Sequence, residues 1–225
     1  MPTKKNRAGH QQNYVPAGNG DASGEYTSSK DTEKFETAFA KGLGLKEEQK
    51  NSKPKLTKEQ EKVISEYTDD LYDELNYALR NDGNLNDKLK SKSELLSSSF
   101  DGNELKTPMK VYRSMSDLTV GDIKLLDLLA QNKDIDKLKG KTFKGKSFYS
   151  TSLSEEEAYN SGGGRIMLNI SLPKNTRAIP IKDLSVKPHE NEVLVDKGYN
   201  YKITDVKKES KNHKTILVLE CEVLL

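Results

Sequence analysis

The chain has 225 residues, 33% hydrophobic and 32% charged, with 37 basic residues against 35 acidic ones for a net charge of +2. That is room for one domain with a polar tail, and the interleaved charges exclude a bulk nucleic-acid footprint. A single cysteine, Cys221, excludes an internal disulfide; three scattered histidines, His10, His189 and His213, lack metal-ligand spacing; no run of eighteen apolar residues offers a membrane span.

Residues 1–30 are rich in Gly, Ser, Asn and Lys and read as a disordered leader or linker. No apolar stretch follows its basic start, so no secretory signal peptide is expected. A protein of this kind acting elsewhere would travel by a non-classical, phage or specialised route. Phe35, Ala38, Phe39 and Leu43 predict a short helix over 31–45, followed by a polar connector to residue 56. Thr57-Lys58-Glu59-Gln60 has the form of a capping box, and Ile64, Tyr67, Leu71, Leu75 and Ala78 make one apolar stripe ending near Gly83. Tyr72 and Asn76 lie one turn apart on the flank of that stripe.

A second helix is predicted over Leu85–Ser98, a strand over Met109–Arg113, and a helix over Asp117–Ala130 from Leu118, Ile123, Leu126 and Leu129. Ser147–Ser152 reads as a strand and Ser154–Tyr159 as the capped start of a helix. Ser161-Gly162-Gly163-Gly164 reads as a mobile loop. Strands are predicted over 165–172, 176–180, 192–195, 199–207 and 215–224. Helices first and strands later indicate an α+β fold, in a domain expected over 57–225.

Three local groupings carry chemistry. Glu190 and Glu192 are two apart at the head of a predicted strand, so both carboxylates face one side, roughly 7 Å apart. Like charges so close repel, which suits a site that stabilises a cation, although an exposed strand end also tolerates Glu. Arg113 ends another strand, where its planar fork suits a phosphate, or equally a surface carboxylate. Ser150-Thr151-Ser152 could cap the next helix or hold a carboxylate by hydrogen bonds.

In chain order these form aromatic-Arg, then F-x-S-T-S, then E-x-E, each on its own strand. This order resembles the arginine–serine–glutamate class of mono-ADP-ribosyltransferases, notably the catalytic domains of actin-modifying binary toxins and related phage and polymorphic-toxin domains. Glu66-Tyr67-Thr68, Tyr72, Leu75-Asn76 and Leu79-Arg80 resemble the family's Y-T-x-x-x-Y-x-x-I-N-x-x-L-R helix, with Leu75 where Ile is usual. Leu172-Pro173-Lys174-Asn175-Thr176 resembles its P-K-G-T turn, Asn175 replacing Gly in a conformation that Asn tolerates.

The resemblance implies an ADP-ribosyltransferase core of two roughly perpendicular sheets with N-terminal helices, using NAD as substrate and no metal. It implies that Arg113 binds phosphate and ribose, that Ser150 orients Glu192, and that Glu192 is the catalytic glutamate. Tyr67, Tyr72 and Asn76 would line the diphosphate and adenosine side, with Ser114, Thr151 and Ser152 beside them. Arg165 would be a second phosphate ligand beyond the glycines. The family's asparagine-modifying members have Gln at the first position of E-x-E, so Glu190 implies arginine as acceptor. The implied partners are NAD, a target-cell protein such as actin, and a delivery component or immunity protein. Asp183–His189 carries no aromatic, where the family's recognition loop has one, so the resemblance names no target.

The chemistry agrees. Cleaving the nicotinamide–ribose bond develops an oxocarbenium-like cation, and nicotinamide leaves neutral without a general acid. A carboxylate under the sugar is what helps. Two alternatives stay open: an NAD glycohydrolase transferring to water, and a non-catalytic phage or secretion module retaining the fold. Labelled NAD incubated with a lysate separates the three by a labelled band, free ADP-ribose only, or no reaction.

Overall fold

The structure, a computed structural model, describes residues 54–81, 85–131, 133–186 and 191–225. The leader, the helix expected over 31–45, the stop at Gly83, and His189 and Glu190 lie outside the described residues. The first described helix, α1 (Lys58–Glu66), opens with the expected capping box. Thr57 Oγ1 accepts from the Gln60 amide at 3.2 Å, and Gln60 Oε1 accepts from the Thr57 amide at 2.9 Å. α1 widens into a π turn, Tyr67–Leu71, and continues as α2 (Tyr72–Arg80). The apolar stripe is buried through Ile64, Tyr67, Leu71 and Leu75. Helix α3 (Asp87–Ser98) starts two residues later than Leu85 because Asn86 is its cap, accepting from the Leu89 amide at 2.9 Å.

Strand β1 spans Met109–Met115. The helix predicted over Asp117–Ala130 is corrected. Only Leu125–Ala130 is helical (α4), while Thr119–Val120 (β2) and Ile123–Lys124 (β3) pair as a hairpin. Gly121 turns it with φ of +58°. The apolar spacing mimicked a helix, but a left-handed glycine between β-branched residues favours a hairpin. A 3-10 turn at Asp136–Leu138 precedes β4 (Thr142–Lys144), β5 (Tyr149–Ser152), α5 (Glu155–Gly162), β6 (Ile166–Leu172), β7 (Ala178–Pro180), β8 (Glu192–Val195), β9 (Asn200–Lys211) and β10 (Lys214–Leu224). Asn175 takes the left-handed conformation expected of it, with φ of +72°.

The α+β architecture is thus present. Its eight main strands run in the order β4-β9-β10-β6-β1-β5-β8-β7, with only β6 and β10 parallel among these pairs. The ladder is pinched between β1 and β5. A single registered pair, Tyr112↔Ser152, joins β4-β9-β10-β6-β1 to β5-β8-β7 within one eight-stranded sheet. One core fills one face of both parts: Val193 and Val195 enter it beside Leu168, Leu217 and Leu219. Leu194, pointing the other way, packs with Phe148 against α1, α2 and α3. A smaller cluster sets Ala158 and Tyr159 of α5 on Met167, Ile216 and Val218, with Tyr112 against it.

The glycine run is not a free loop. Ser161 and Gly162 end α5, and Gly163 caps it in the left-handed conformation at φ +57°. Gly164 lies so close to β1 that a Cβ there would stand 1.9 Å from the Met115 carbonyl oxygen. Only glycine permits that approach.

Candidate active site

The pinch between β1 and β5 opens into a cleft of about 270 Å³ between the helical cluster and α5. Tyr67, Thr68, Tyr72 and Asn76 form its helical wall. Arg113 and Ser114 of β1, Ser150, Thr151 and Ser152 of β5, and Glu192 at the head of β8 form its strand side. Nine of the eleven residues expected in the site therefore converge on one cleft. Arg165 does not: it is exposed, and its Nε donates to the Thr215 carbonyl at 3.1 Å. Gly164 holds the chain against β1 just before Arg165. Glu190 lies outside the described residues.

The π turn builds the helical wall. Residues nine apart in an unbroken α-helix are half a turn out of phase, so Tyr67 and Asn76 would face apart. The wider turn absorbs part of that offset. Asn76 Nδ2 then donates to the Tyr67 phenol oxygen at 2.8 Å, with both side chains buried. The Tyr67 ring meets Tyr72 and Phe148 edge-on, with centroids 6.4 and 5.8 Å away. Burial raises the Tyr67 phenol pKa against the lowering effect of hydrogen bonds from Asn76 and Ser150, so Tyr67 stays neutral. Tyr72 is 43% exposed and stands at the cleft mouth.

Arg113 occupies the seam. Its guanidinium donates to the Ser150 carbonyl at 2.6 Å and lies 4.9 Å from the Tyr149 ring centroid, while its Nε has no partner among the described residues. A planar cation stacked on an aromatic ring and held at one edge presents fixed donors to an anion. Ser114 Oγ accepts from the Gly164 amide at 2.9 Å, fastening the glycine corner to β1.

In the β5–β8 ladder Ser152 sits opposite Glu192 and Ser150 opposite Leu194. Ser150 and Glu192 are thus diagonal neighbours on one face, within reach of each other's side chains. Ser150 also shares the cleft with the Tyr67 phenol, a neighbour absent from the expectation. The Thr151 hydroxyl is taken up by the Val193 carbonyl at 2.6 Å. Ser152 Oγ accepts from the Ser154 amide at 3.0 Å and donates to Glu157. Glu192 is only 6% exposed, at the base of this arrangement. A buried carboxylate below a fixed guanidinium and two hydroxyls can stabilise a cation beside a bound anion.

Sequence reasoning missed Ser161 and Ser185, which also line the cleft. It likewise missed Glu157 and Asn191 behind it. No spacing marks these: α5 delivers Glu157 and Ser161, and loops deliver Ser185 and Asn191. Among the described residues there is no cluster of three or more His, Cys, Asp or Glu able to hold a metal ion, and no helix long and apolar enough to cross a membrane.

No curated protein matches the chain in sequence. Solved structures do. Plx2a, an ADP-ribosyltransferase toxin from Paenibacillus larvae, superposes with a TM-score of 0.69 at 22% identity, covering 87% of this chain and 97% of that one. C3stau2 from S. aureus, solved with NAD, gives 0.67 at 21% identity over 88% and 97%. C2-I, the enzymatic component of the C2-toxin from Clostridium botulinum, gives 0.63 at 25% identity over 82% of this chain and 47% of that one. The chain therefore spans about half the length of C2-I. The family model described as ADP-ribosyltransferase exoenzyme matches residues 44–225. With a fold shared with these toxins and a cleft built as above, the chain belongs to the ADP-ribosyltransferase exoenzyme family and takes NAD as its co-substrate.

Proposed function

We propose that the protein transfers ADP-ribose from NAD to an arginine side chain of a target-cell protein, releasing nicotinamide, as a toxin or effector delivered to that cell. The observation carrying this reading is that Arg113, Ser150 and Glu192 line one cleft, with Glu192 buried at its base. Arg113 holds the diphosphate, and Tyr72 with Asn76 borders the adenosine side. The bond between ribose C1′ and the nicotinamide nitrogen breaks with its electron pair going to nicotinamide. Glu192 accepts a hydrogen bond from the ribose 2′-hydroxyl and balances the developing positive charge.

Glu190 serves the acceptor. An arginine guanidinium has a pKa above about 12 and a glutamate one of about 4, a gap of roughly 11 kcal/mol against proton transfer before reaction. Glu190 therefore anchors the guanidinium by paired hydrogen bonds and takes its proton late, as the new C–N bond lowers that pKa.

The test is paired: labelled transfer from NAD to agmatine or an arginine-rich protein, and nicotinamide release without acceptor. Wild type is expected to do both. Glu190→Gln is expected to lose most transfer while still releasing nicotinamide, since water needs no such anchor. Nicotinamide release without any labelled acceptor would make the protein a glycohydrolase instead.

A further inference from the structure

Glu157 belongs to the first turn of α5, and its amide is capped by Ser154 Oγ at 3.2 Å. Its carboxylate has two partners from two different strands' ends. Oε2 accepts from the Ser152 hydroxyl at 3.1 Å, and Oε1 accepts from Asn191 Nδ2 at 2.9 Å. Ser152 is the residue paired with Glu192 across the β5–β8 ladder, and Asn191 is the residue immediately before Glu192. One side chain thus fastens Glu192 both across the sheet and along the chain.

Asn191 needs such a fastening. Its backbone is left-handed, with φ of +45°, and the residue is only 4% exposed. Among the described residues its Oδ1 has no partner, and the bond from Nδ2 to Glu157 is the described hydrogen bond of that amide. A buried Asn in this conformation has alternatives available to its backbone, and loss of the amide contact would release them. Glu157 itself does not line the cleft, although its neighbour Ala158 does. A helix N-terminus also favours a carboxylate there.

We infer that Glu157 is a positioning residue: through Ser152 and Asn191 it sets the place of the Glu192 carboxylate without touching NAD. The inference rests on the reading of Glu192 as the catalytic carboxylate. Because Glu157 acts on the placement of that group and not on the NAD-binding wall, its loss lowers kcat and leaves KM for NAD in place. Displacement of a catalytic group by about 1 Å costs on the order of 100-fold.

The experiment measures nicotinamide release from NAD by the full chain, with kcat and KM separated, for Glu157→Ala, Glu157→Gln, Asn191→Gly and the Glu157→Ala/Asn191→Gly pair. Glu157→Ala is expected to lower kcat by about 30- to 100-fold with KM changed less than about threefold. Glu157→Gln keeps an acceptor oxygen for Asn191 and an amide for Ser152 Oγ, so it is expected to stay within about fivefold of wild type. Asn191→Gly keeps the left-handed backbone and removes the amide. It should lower kcat in the same direction as Glu157→Ala, and the pair should be no worse than Glu157→Ala alone, because Asn191→Gly cuts one of the two connections that Glu157→Ala removes. It also carries the test if Glu157→Ala fails to fold. A kcat within about threefold of wild type for both single variants, a loss confined to KM, or losses that multiply in the pair would overturn the inference. A wild type that releases no nicotinamide, or a Glu192→Gln variant as fast as wild type, would instead overturn the reading of Glu192 on which it rests.

Discussion

The two sides of the pinch are built differently. From β1 to β9 the ladder is long and apolar: seven registered pairs join β1 to β6, six join β6 to β10, and eleven join β10 to β9. Leu168, Leu217 and Leu219 are fully buried there. At the seam, one pair joins β1 to β5 and four join β5 to β8. Polar groups are buried there instead. Among the described residues, three of the four buried polar side-chain atoms without a partner lie at or beside the cleft: Asn76 Oδ1, Arg113 Nε and Asn191 Oδ1. Such atoms cost stability and are tolerated where a ligand can use them. The contrast teaches that the long ladder carries stability and the seam carries chemistry, so substitutions should separate the two.

The largest effect expected is at the seam. Glu192→Gln should reduce nicotinamide release by at least about 10³-fold, because a neutral amide cannot balance the developing charge. Its melting temperature should hold or rise; a collapse of the fold would show that Glu192 is structural and break the contrast. Leu217→Ala tests the other side. Removing a fully buried leucine beside Ile166 should cost about 2–5 kcal/mol in a denaturant titration, while NAD affinity of the folded protein stays put.

High pH sharpens the same point. Burial raises the phenols of Tyr149 and Tyr201 and pushes the Cys221 thiol up to about 12, all in the core behind the long ladder. The folded state holds these protons after the unfolded chain has released them. Stability is therefore full below about pH 8.5 and falls as pH rises towards 12, by up to about 1.4 kcal/mol per pH unit for each group. Chemical denaturation from pH 8 to 11 should show that slope, and Cys221→Ala should make it shallower. An unchanged slope would remove Cys221 from the account.

Arg113→Lys keeps the charge but loses the fork stacked on Tyr149, so NAD affinity by calorimetry should fall about tenfold with little loss of stability. Unchanged affinity would take Arg113 out of the site. The smallest effect is expected from deleting residues 1–30. The catalytic rate should stay within about a factor of two, since this Gly-, Ser-, Asn- and Lys-rich segment has few apolar side chains to bury. A large loss would show that the leader belongs to the working enzyme.

Features set by short-range chemistry were legible in the chain. The Thr57–Gln60 box, the Ser154 cap, the left-handed Asn175 and the strand that begins at Glu192 all depend on a few neighbouring residues, and the structure has each of them. The collinear Arg, Ser and Glu motifs also pointed to one cleft, because strand-end residues of adjacent strands meet when the strands pair. What depends on distant partners was not legible. The apolar spacing over Asp117–Ala130 fits a helix until Gly121 and the pairing of β2 with β3 decide for a hairpin. The glycine run looks mobile until Gly164 is pressed against Met115, and Arg165 just after it does not line the cleft. The π turn that brings Asn76 to Tyr67, nine residues away, and the Glu157 carboxylate reaching Asn191, 34 residues away, join residues that no local pattern pairs. Local propensity is a property of neighbouring residues, whereas the reach of one side chain to another is set only when the sheet and helices have closed around them.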